Sequence, residues 1–163
     1  VILAEGTEIE GLNDSKKLSE KKREALFEVI KSTAVSYCIA YSSVEEIEEI
    51  NILNATMLAM KRAVKGLSVK ADYAMIDGNK IPDLSIDAEC IVKGDARSMS
   101  IACASILAKV SRDRLLYEYA KEYPQYGFDK HKGYGTAAHR EALLKYGPCP
   151  YHRLSFLGKI LNK

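Results

Sequence analysis

Apolar positions along this chain repeat with two periods, and the switches between them mark out its elements. Leu26, Val29 and Ile30 fall three and four residues apart, predicting a helix from about Glu20 to Thr33 with Ser19 as its N-cap. Val35 to Tyr41 has strand composition. The series Ile47, Ile50, Leu53, Met57, Met60 and Val64 predicts a second helix, capped by Ser43 and ending at Gly66, and the stripe reads as core packing. Glu45, Glu46, Glu48 and Glu49 suit its start, and Lys61, Arg62 and Lys65 suit its carbonyl end. Two short apolar runs follow, Tyr73 to Asn79 and Glu89 to Asp95, which read as buried strands of an α/β sheet. From Ser98 to about Tyr119 one long helix presents Ile101, Ile106, Leu107, Val110, Leu115 and Leu116 to that sheet. Pro124 ends it, and a final helix from about Thr136 to Lys145 precedes a tail, Pro148 to Lys163.

Composition adds little to the pattern. The 163 residues are 47% apolar and 28% charged, which suits one globular domain able to bury a core. A net charge of +2 is too small to argue for nucleic-acid binding, so any basic patch must come from clustering. Cys38, Cys90, Cys103 and Cys149 form no CxxC pair and read as reduced thiols of a cytoplasmic protein. There is no signal peptide and no apolar run of about 18 residues to suggest a membrane partner. Val1-Ile2-Leu3 reads as the end of a strand without an initiator methionine, so the piece is expected to begin inside a larger protein.

Candidate chemistry lies where the two apolar runs end, at Asp77 and Asp95. If the runs are parallel strands, both carboxylates sit at the carboxyl edge of the sheet, where α/β folds bind ligands. The short connection from Lys80 to Ala88 can span roughly 30 Å when extended, enough for the return. Two carboxylates there suit a hard divalent cation such as Mg²⁺ or Mn²⁺ and two-metal phosphodiester chemistry. Equally, Asp77 can open an Asp-Gly-Asn turn and Asp95 can cap the next helix. Ser15, Lys16 and Lys17, near a helix start, suit a phosphate contact, or form a solvated loop. Tyr123 to Tyr134 is an aromatic and basic loop containing Lys130, His131, Lys132 and Tyr134, suited to stacking and phosphate contact, although Tyr126 and Phe128 can equally close the core. His152-Arg153 is a secondary candidate for phosphate contact, and His139 is expected on a helix surface.

The words Asp77-Gly78-Asn79, Lys93-Gly94-Asp95, Ala104 to Val110, Tyr126-Gly127-Phe128 and His131-Lys132-Gly133-Tyr134 occur in order, preceded by Gly11 to Leu18 and Asn51 to Met57. Together they closely resemble bacterial ribonuclease HII, and the resemblance covers nearly the whole chain. It implies a ribonuclease H-like α/β fold: a mixed sheet flanked by helices, with a C-terminal helical segment. The single domain would divide at about residue 123 into a catalytic core and a substrate-gripping segment, 124–163. It implies a Mn²⁺- or Mg²⁺-dependent endonuclease of ribonucleotide excision in DNA replication and repair, acting as a monomer. The enzyme would cut RNA paired with DNA, and cut 5′ of single ribonucleotides in duplex DNA, leaving 3′-hydroxyl and 5′-phosphate ends. Asp77 and Asp95 would be catalytic metal ligands, and Ser15, Lys16, Lys17, His131, Lys132 and Tyr134 would contact substrate, with Tyr134 against the sugar at the DNA–RNA junction.

The family pattern also holds an Asp-Glu pair on a first strand and a Gly-Arg-Gly loop that does much of the reading of the 2′-hydroxyl, and neither is present here. Of four implied metal carboxylates this sequence supplies the last two. Two other readings therefore stand beside the nuclease: a non-catalytic nucleic-acid-binding or inactive fragment, and an unrelated two-metal phosphatase. The Tyr134 loop argues against the second.

Overall fold

The computed structural model describes residues 1–161. Of the expected tail, Asn162 and Lys163 lie outside the described residues. The chain divides into two compact units, one of residues 1–41 and 56–110, the other of residues 42–55 and 111–161 among those described.

In the first unit, α1 spans Glu20–Thr33, and the Ser19 side chain accepts the Lys22 N–H at its start. Its buried residues are Leu26, Phe27 and Ile30; Val29, expected inside, is largely exposed, because a stripe through Phe27 and Ile30 turns Val29 away. These side chains pack with Ile9, Cys103, Ile106, Leu107 and Val110 into one core, in which Ile30 and Ile106 are wholly buried. Strand β1, Tyr73–Asp77, pairs in parallel with β2, Asp87–Ile91, so that Asp77 lies opposite Ile91. The short extended connection does return the chain beside itself. The strands are shorter than expected and only half-buried: Ala74 and Ile76 point inward while Tyr73, Met75 and Asp77 are exposed. The stretch Val35–Tyr41 forms no ladder. It contributes one antiparallel bridge, Ser36 to Ile2, whose backbone groups meet at 2.7 Å.

Helix α2, Val44–Lys65, begins with a capping box: the Ser43 hydroxyl accepts the Glu46 N–H, and the Glu46 carboxylate accepts the Ser43 N–H. It is not one continuous helix. Asn51 has φ 66° and ψ 165°, a backbone region almost reserved for glycine, and its side chain accepts the N–H groups of Leu53 and Asn54 at 3.0 and 3.2 Å. Asn51 thus ends one helix and caps the next. The break shifts the helical phase, which is why Leu53 is exposed and Ala55 buried, against the uninterrupted stripe expected from the sequence.

Helix α3, Met99–Glu122, starts one residue later than expected and runs further. Leu115, expected on the buried stripe, is exposed, whereas Leu116 is buried. In the second unit, Leu116 packs with Tyr126, Phe128, Leu143, Cys149 and Leu157. A short helix α4, Phe128–His131, is followed by α5, Ala137–Tyr146, capped by the Thr136 hydroxyl, and by α6, Gly158–Leu161. No helix among the described residues is long and apolar enough to cross a membrane.

The turn at Asn51 gives a stability test. Asn51→Ala removes both capping hydrogen bonds and keeps the strained φ, so it should cost about 1–3 kcal/mol. Asn51→Gly loses the cap but relieves the strain, and its loss in chemical denaturation should be clearly smaller. An equal or larger loss for the glycine variant would contradict the capping-under-strain account.

Candidate active site

The parallel register places the end of β1 beside the loop that leaves β2. Asp77 Oδ1 accepts the backbone N–H of Gly94 at 2.9 Å. Glycine at 94 leaves room for the neighbouring side chain: a Cβ would stand 2.5 Å from Ile101 Cδ1, which would have to shift. Gly94, Asp95 and Ala96 form a 3₁₀ turn, and Asp95 is half-buried within it. Asp95 therefore does not cap α3. Ser98 does, its hydroxyl accepting the Ile101 N–H.

A third carboxylate reaches this edge from a different part of the chain. The Asn13–Leu18 loop folds around Asp14, whose side chain accepts the Lys16 N–H at 2.9 Å and whose carbonyl accepts the Lys17 N–H at 2.9 Å. The Asp14 carboxyl lies beside that of Asp95. The Lys16 N–H holds Asp14 below the usual carboxylate range, assisted by that contact and by the charges of Lys16 and Lys17, with desolvation opposing. Sequence reasoning passed over Asp14 because its spacing from Asp95 is large. The visible signal was its place in an Asn-Asp-Ser turn, which implies a structured loop.

Ser15 is buried in this loop and its carbonyl accepts an Arg23 guanidinium N–H at 3.1 Å, while Lys16 and Lys17 are exposed. Neighbouring carboxylates repel each other unless a cation lies between them. Carboxylate oxygens such as those of Asp77 and Asp95 suit a hard divalent ion by their chemistry. No three metal-ligating side chains converge among the described residues, so such an ion would complete its shell with water or substrate oxygens.

The remaining expected site residues, His131, Lys132 and Tyr134, belong to the second unit. Lys132, with φ 51°, and Gly133, with φ 81°, are both left-handed, and this double turn brings Tyr134 to the surface, the residue 69% exposed. His131 uses both ring nitrogens inside the loop: Nδ1 accepts the Gly133 N–H at 3.1 Å and Nε2–H donates to the Tyr126 carbonyl at 2.6 Å. The Lys132 ammonium donates to the Asp129 carbonyl and lies 3.7 Å from the centre of the Tyr117 ring.

His139 and His152 depart from expectation. Both are buried, 5% and 6% exposed, and meet Nε2 to Nε2 at 3.0 Å. His139 stacks on His131 at 4.2 Å and His152 packs against Tyr126 and Phe128. His139 is drawn inward because the turn before α5 gives its Nδ1 the Tyr134 carbonyl at 2.9 Å; His152 is drawn inward by the Cys149 N–H at 2.9 Å. Arg153 lies over the Phe156 ring, and burial lowers its pKa, with Arg112 acting in the same sense and Glu48 against it.

The parallel pair, with aspartates at and just beyond its carboxyl edge, defines an α/β domain of the ribonuclease H-like class. The crystal structure of the ribonuclease H2 from Pyrococcus horikoshii OT3 is similar, with a TM-score of 0.75 at 25% identity, covering 93% of this chain and 81% of that one. The family model for ribonuclease HII matches residues 7–159. The ribonuclease HII of Clostridioides difficile (strain 630) is 56% identical over 161 residues, 99% of this chain and 63% of that protein. That of Neisseria meningitidis serogroup B (strain MC58) is 59% identical over 157 residues, covering 96% and 81%. The chain belongs to the ribonuclease HII family.

Desolvation pushes the pKa of His152 down from 6.5 to about 4, with the neighbouring His139 adding to the effect; desolvation also lowers that of His139. Between those values the unfolded chain binds a proton that the folded chain refuses, so stability must rise with pH from about 4 to 6.5 and be complete above that range. His152 alone contributes at most about 3 kcal/mol to this difference. The melting temperature should fall as pH drops through that window, and His152→Gln should flatten the fall; an unchanged pH slope in the variant would contradict the assignment.

Proposed function

We propose that this chain is the catalytic part of an endonuclease that cuts RNA paired with DNA and cuts 5′ of single ribonucleotides embedded in duplex DNA. Support comes from membership of the ribonuclease HII family together with one geometric observation: Asp77 and the Asp95 turn are fastened to each other at the carboxyl edge of the parallel strands. The C. difficile relative is longer, the chain spanning 63% of it, so the activity of the whole protein is part of the proposal.

Asp77 and Asp95 would hold divalent cations, Mn²⁺ or Mg²⁺, with Asp14 beside Asp95. Such ions supply Lewis acidity at the scissile phosphate and activate water in a two-metal hydrolysis that leaves 3′-hydroxyl and 5′-phosphate ends. The chain's own contribution is positional. The Gly94 N–H directs one Asp77 oxygen and leaves the other for a ligand. Lys16 and Lys17, exposed on the loop that Asp14 and Ser15 shape, meet backbone phosphates. The segment 124–163 grips the duplex. Tyr134 lays its exposed ring against the sugar at the junction, and His131 and Lys132 act through the loop conformation they impose. The protein would work in the cytoplasm as a monomer, on ribonucleotides left in DNA.

The competing reading, a chain that binds nucleic acid without cutting it, draws on the absence of three convergent metal ligands among the described residues. Cleavage of a duplex carrying one ribonucleotide, with Mg²⁺ or Mn²⁺ and then with chelator, separates the two. This chain should be compared with a version extended at its N-terminus to the length of its relatives. If both forms are folded and neither cuts, the binding reading replaces the nuclease.

In the cutting form, Asp77→Asn or Asp95→Asn should lower the rate by about three orders of magnitude or more, leaving the melting temperature nearly unchanged. Loss of stability with activity intact would instead make the carboxylates structural. Tyr134→Ala should reduce the preference for the ribonucleotide junction more than it reduces general duplex affinity. Equal losses on ribonucleotide-containing and all-DNA duplexes would remove its specificity role.

A further inference from the structure

All three histidines of the chain, His131, His139 and His152, lie together around the backbone of residue 134. Their hydrogen bonds have only one consistent direction. The Cys149 N–H must donate, so His152 Nδ1 is an acceptor and its proton is on Nε2. That proton points at His139 Nε2, 3.0 Å away, which must then be an acceptor, leaving the His139 proton on Nδ1. Nδ1–H donates to the Tyr134 carbonyl at 2.9 Å, where the Thr136 N–H donates as well, at 2.8 Å. On the other side of the residue, the Tyr134 N–H donates to the His131 carbonyl at 2.9 Å, and His131 is held as its Nε2–H tautomer by Gly133 and Tyr126.

We propose that His139 and His152 are positioning residues for Tyr134: a buried one-way relay from the Cys149 N–H through two neutral imidazoles to the Tyr134 carbonyl fixes the backbone from which the exposed ring projects. This rests on the reading of Tyr134 as the sugar contact. An exposed ring recognises a sugar only if its backbone does not drift. At 69% exposure the side chain receives little restraint from packing, so the restraint falls on the backbone at residue 134. The relay supplies it from the buried interior of the second unit.

The relay tolerates no extra proton. A proton on His152 Nδ1 would face the Cys149 N–H, and one on His139 Nε2 would face the His152 N–H, so either opposes donor to donor. The groups that face the pair are His131 from α4, the Tyr126 ring from the turn before it, Phe128, and the Cys149 backbone. None of these supplies a negative charge to hold an imidazolium, and desolvation disfavours it.

Asparagine and glutamine in place of His139 separate the role of each ring nitrogen. In His139→Asn the shorter amide places an N–H near the former Nδ1 and preserves the bond to Tyr134. In His139→Gln the longer amide places an oxygen near the former Nε2, preserving the bond from His152 and losing the one to Tyr134. In binding titrations, His139→Gln should lower the preference for a ribonucleotide-containing duplex over an all-DNA duplex about fivefold, as expected for one lost hydrogen bond, and His139→Asn, which keeps the bond to Tyr134 but cuts the link from His152, should lower it less. Retention of the preference by both variants would overturn the proposal.

Because either variant can fail to fold, the unmutated chain is also followed by ¹⁵N NMR of its imidazoles between pH 5 and 8. The expected result is Nδ1–H at His139 and Nε2–H at His131 and His152, with His139 and His152 neutral throughout. The Nε2–H tautomer at His139, or titration of either residue near pH 6.5, would overturn the relay. If unmutated protein binds both duplexes equally, the proposed function fails instead, and the tautomers still report whether the relay exists.

Discussion

The hydrogen bond from the Gly94 N–H to Asp77 Oδ1 is the constraint on which the carboxylate edge depends. It requires that β1 and β2 run parallel in the observed register, because only then does the loop leaving β2 arrive at the end of β1. Glycine at 94 also suits it, since a Cβ there would push the Ile101 side chain at the start of α3 aside. A single contact thus ties together a strand end, a 3₁₀ turn and a helix start. The Asp95 turn is placed by the backbone, before any ligand is considered.

The Asp14 loop adds a second layer to the same edge. Its turn satisfies the Asp14 side chain locally, through the Lys16 N–H, and leaves Lys16 and Lys17 exposed. In the proposed function, acidic groups at the strand ends and basic groups on this loop would divide the labour on a phosphodiester substrate: carboxylates for cations, ammonium groups for backbone phosphates. The modest overall charge of +2 conceals this arrangement, because opposite charges cancel in the sum.

Much of this was legible in the sequence, for reasons that differ by element. Helix α1 and its Ser19 cap, the parallel strands and the stop at Pro124 follow from local signals, and the structure shows each of them. Asn51 was not legible as a break because it sits within an unbroken three-and-four repeat of apolar residues, and only its positive φ reveals that the repeat belongs to two helices. Asp77 and Asp95 stand out as candidates because each ends an apolar run, although turn and cap roles were equally open there, whereas Asp14 comes beside Asp95 through tertiary folding that no spacing announces. Val35–Tyr41 has the composition of a strand yet forms a single bridge, since strand propensity acts only where a neighbour supplies a ladder.

The histidines show most clearly why composition misleads about polar residues. His139 stands on a helix where a surface position was expected, and His152 precedes an arginine in a tail where the pair was a secondary candidate for phosphate contact, yet both are buried and fully bonded. An imidazole can be buried at little cost when each nitrogen has a partner of the right kind, and neutral histidine offers one donor and one acceptor, so two in series carry a hydrogen bond from one backbone group to another. A pair of amides could span the same gap, but each would leave a further donor hydrogen to satisfy in an apolar surround of Phe128 and Tyr126. The histidine pair leaves none. That balance accounts for titratable residues in a place where no charge is wanted, and it makes the backbone beneath Tyr134 a buried, directional structure while the ring itself stays open to solvent.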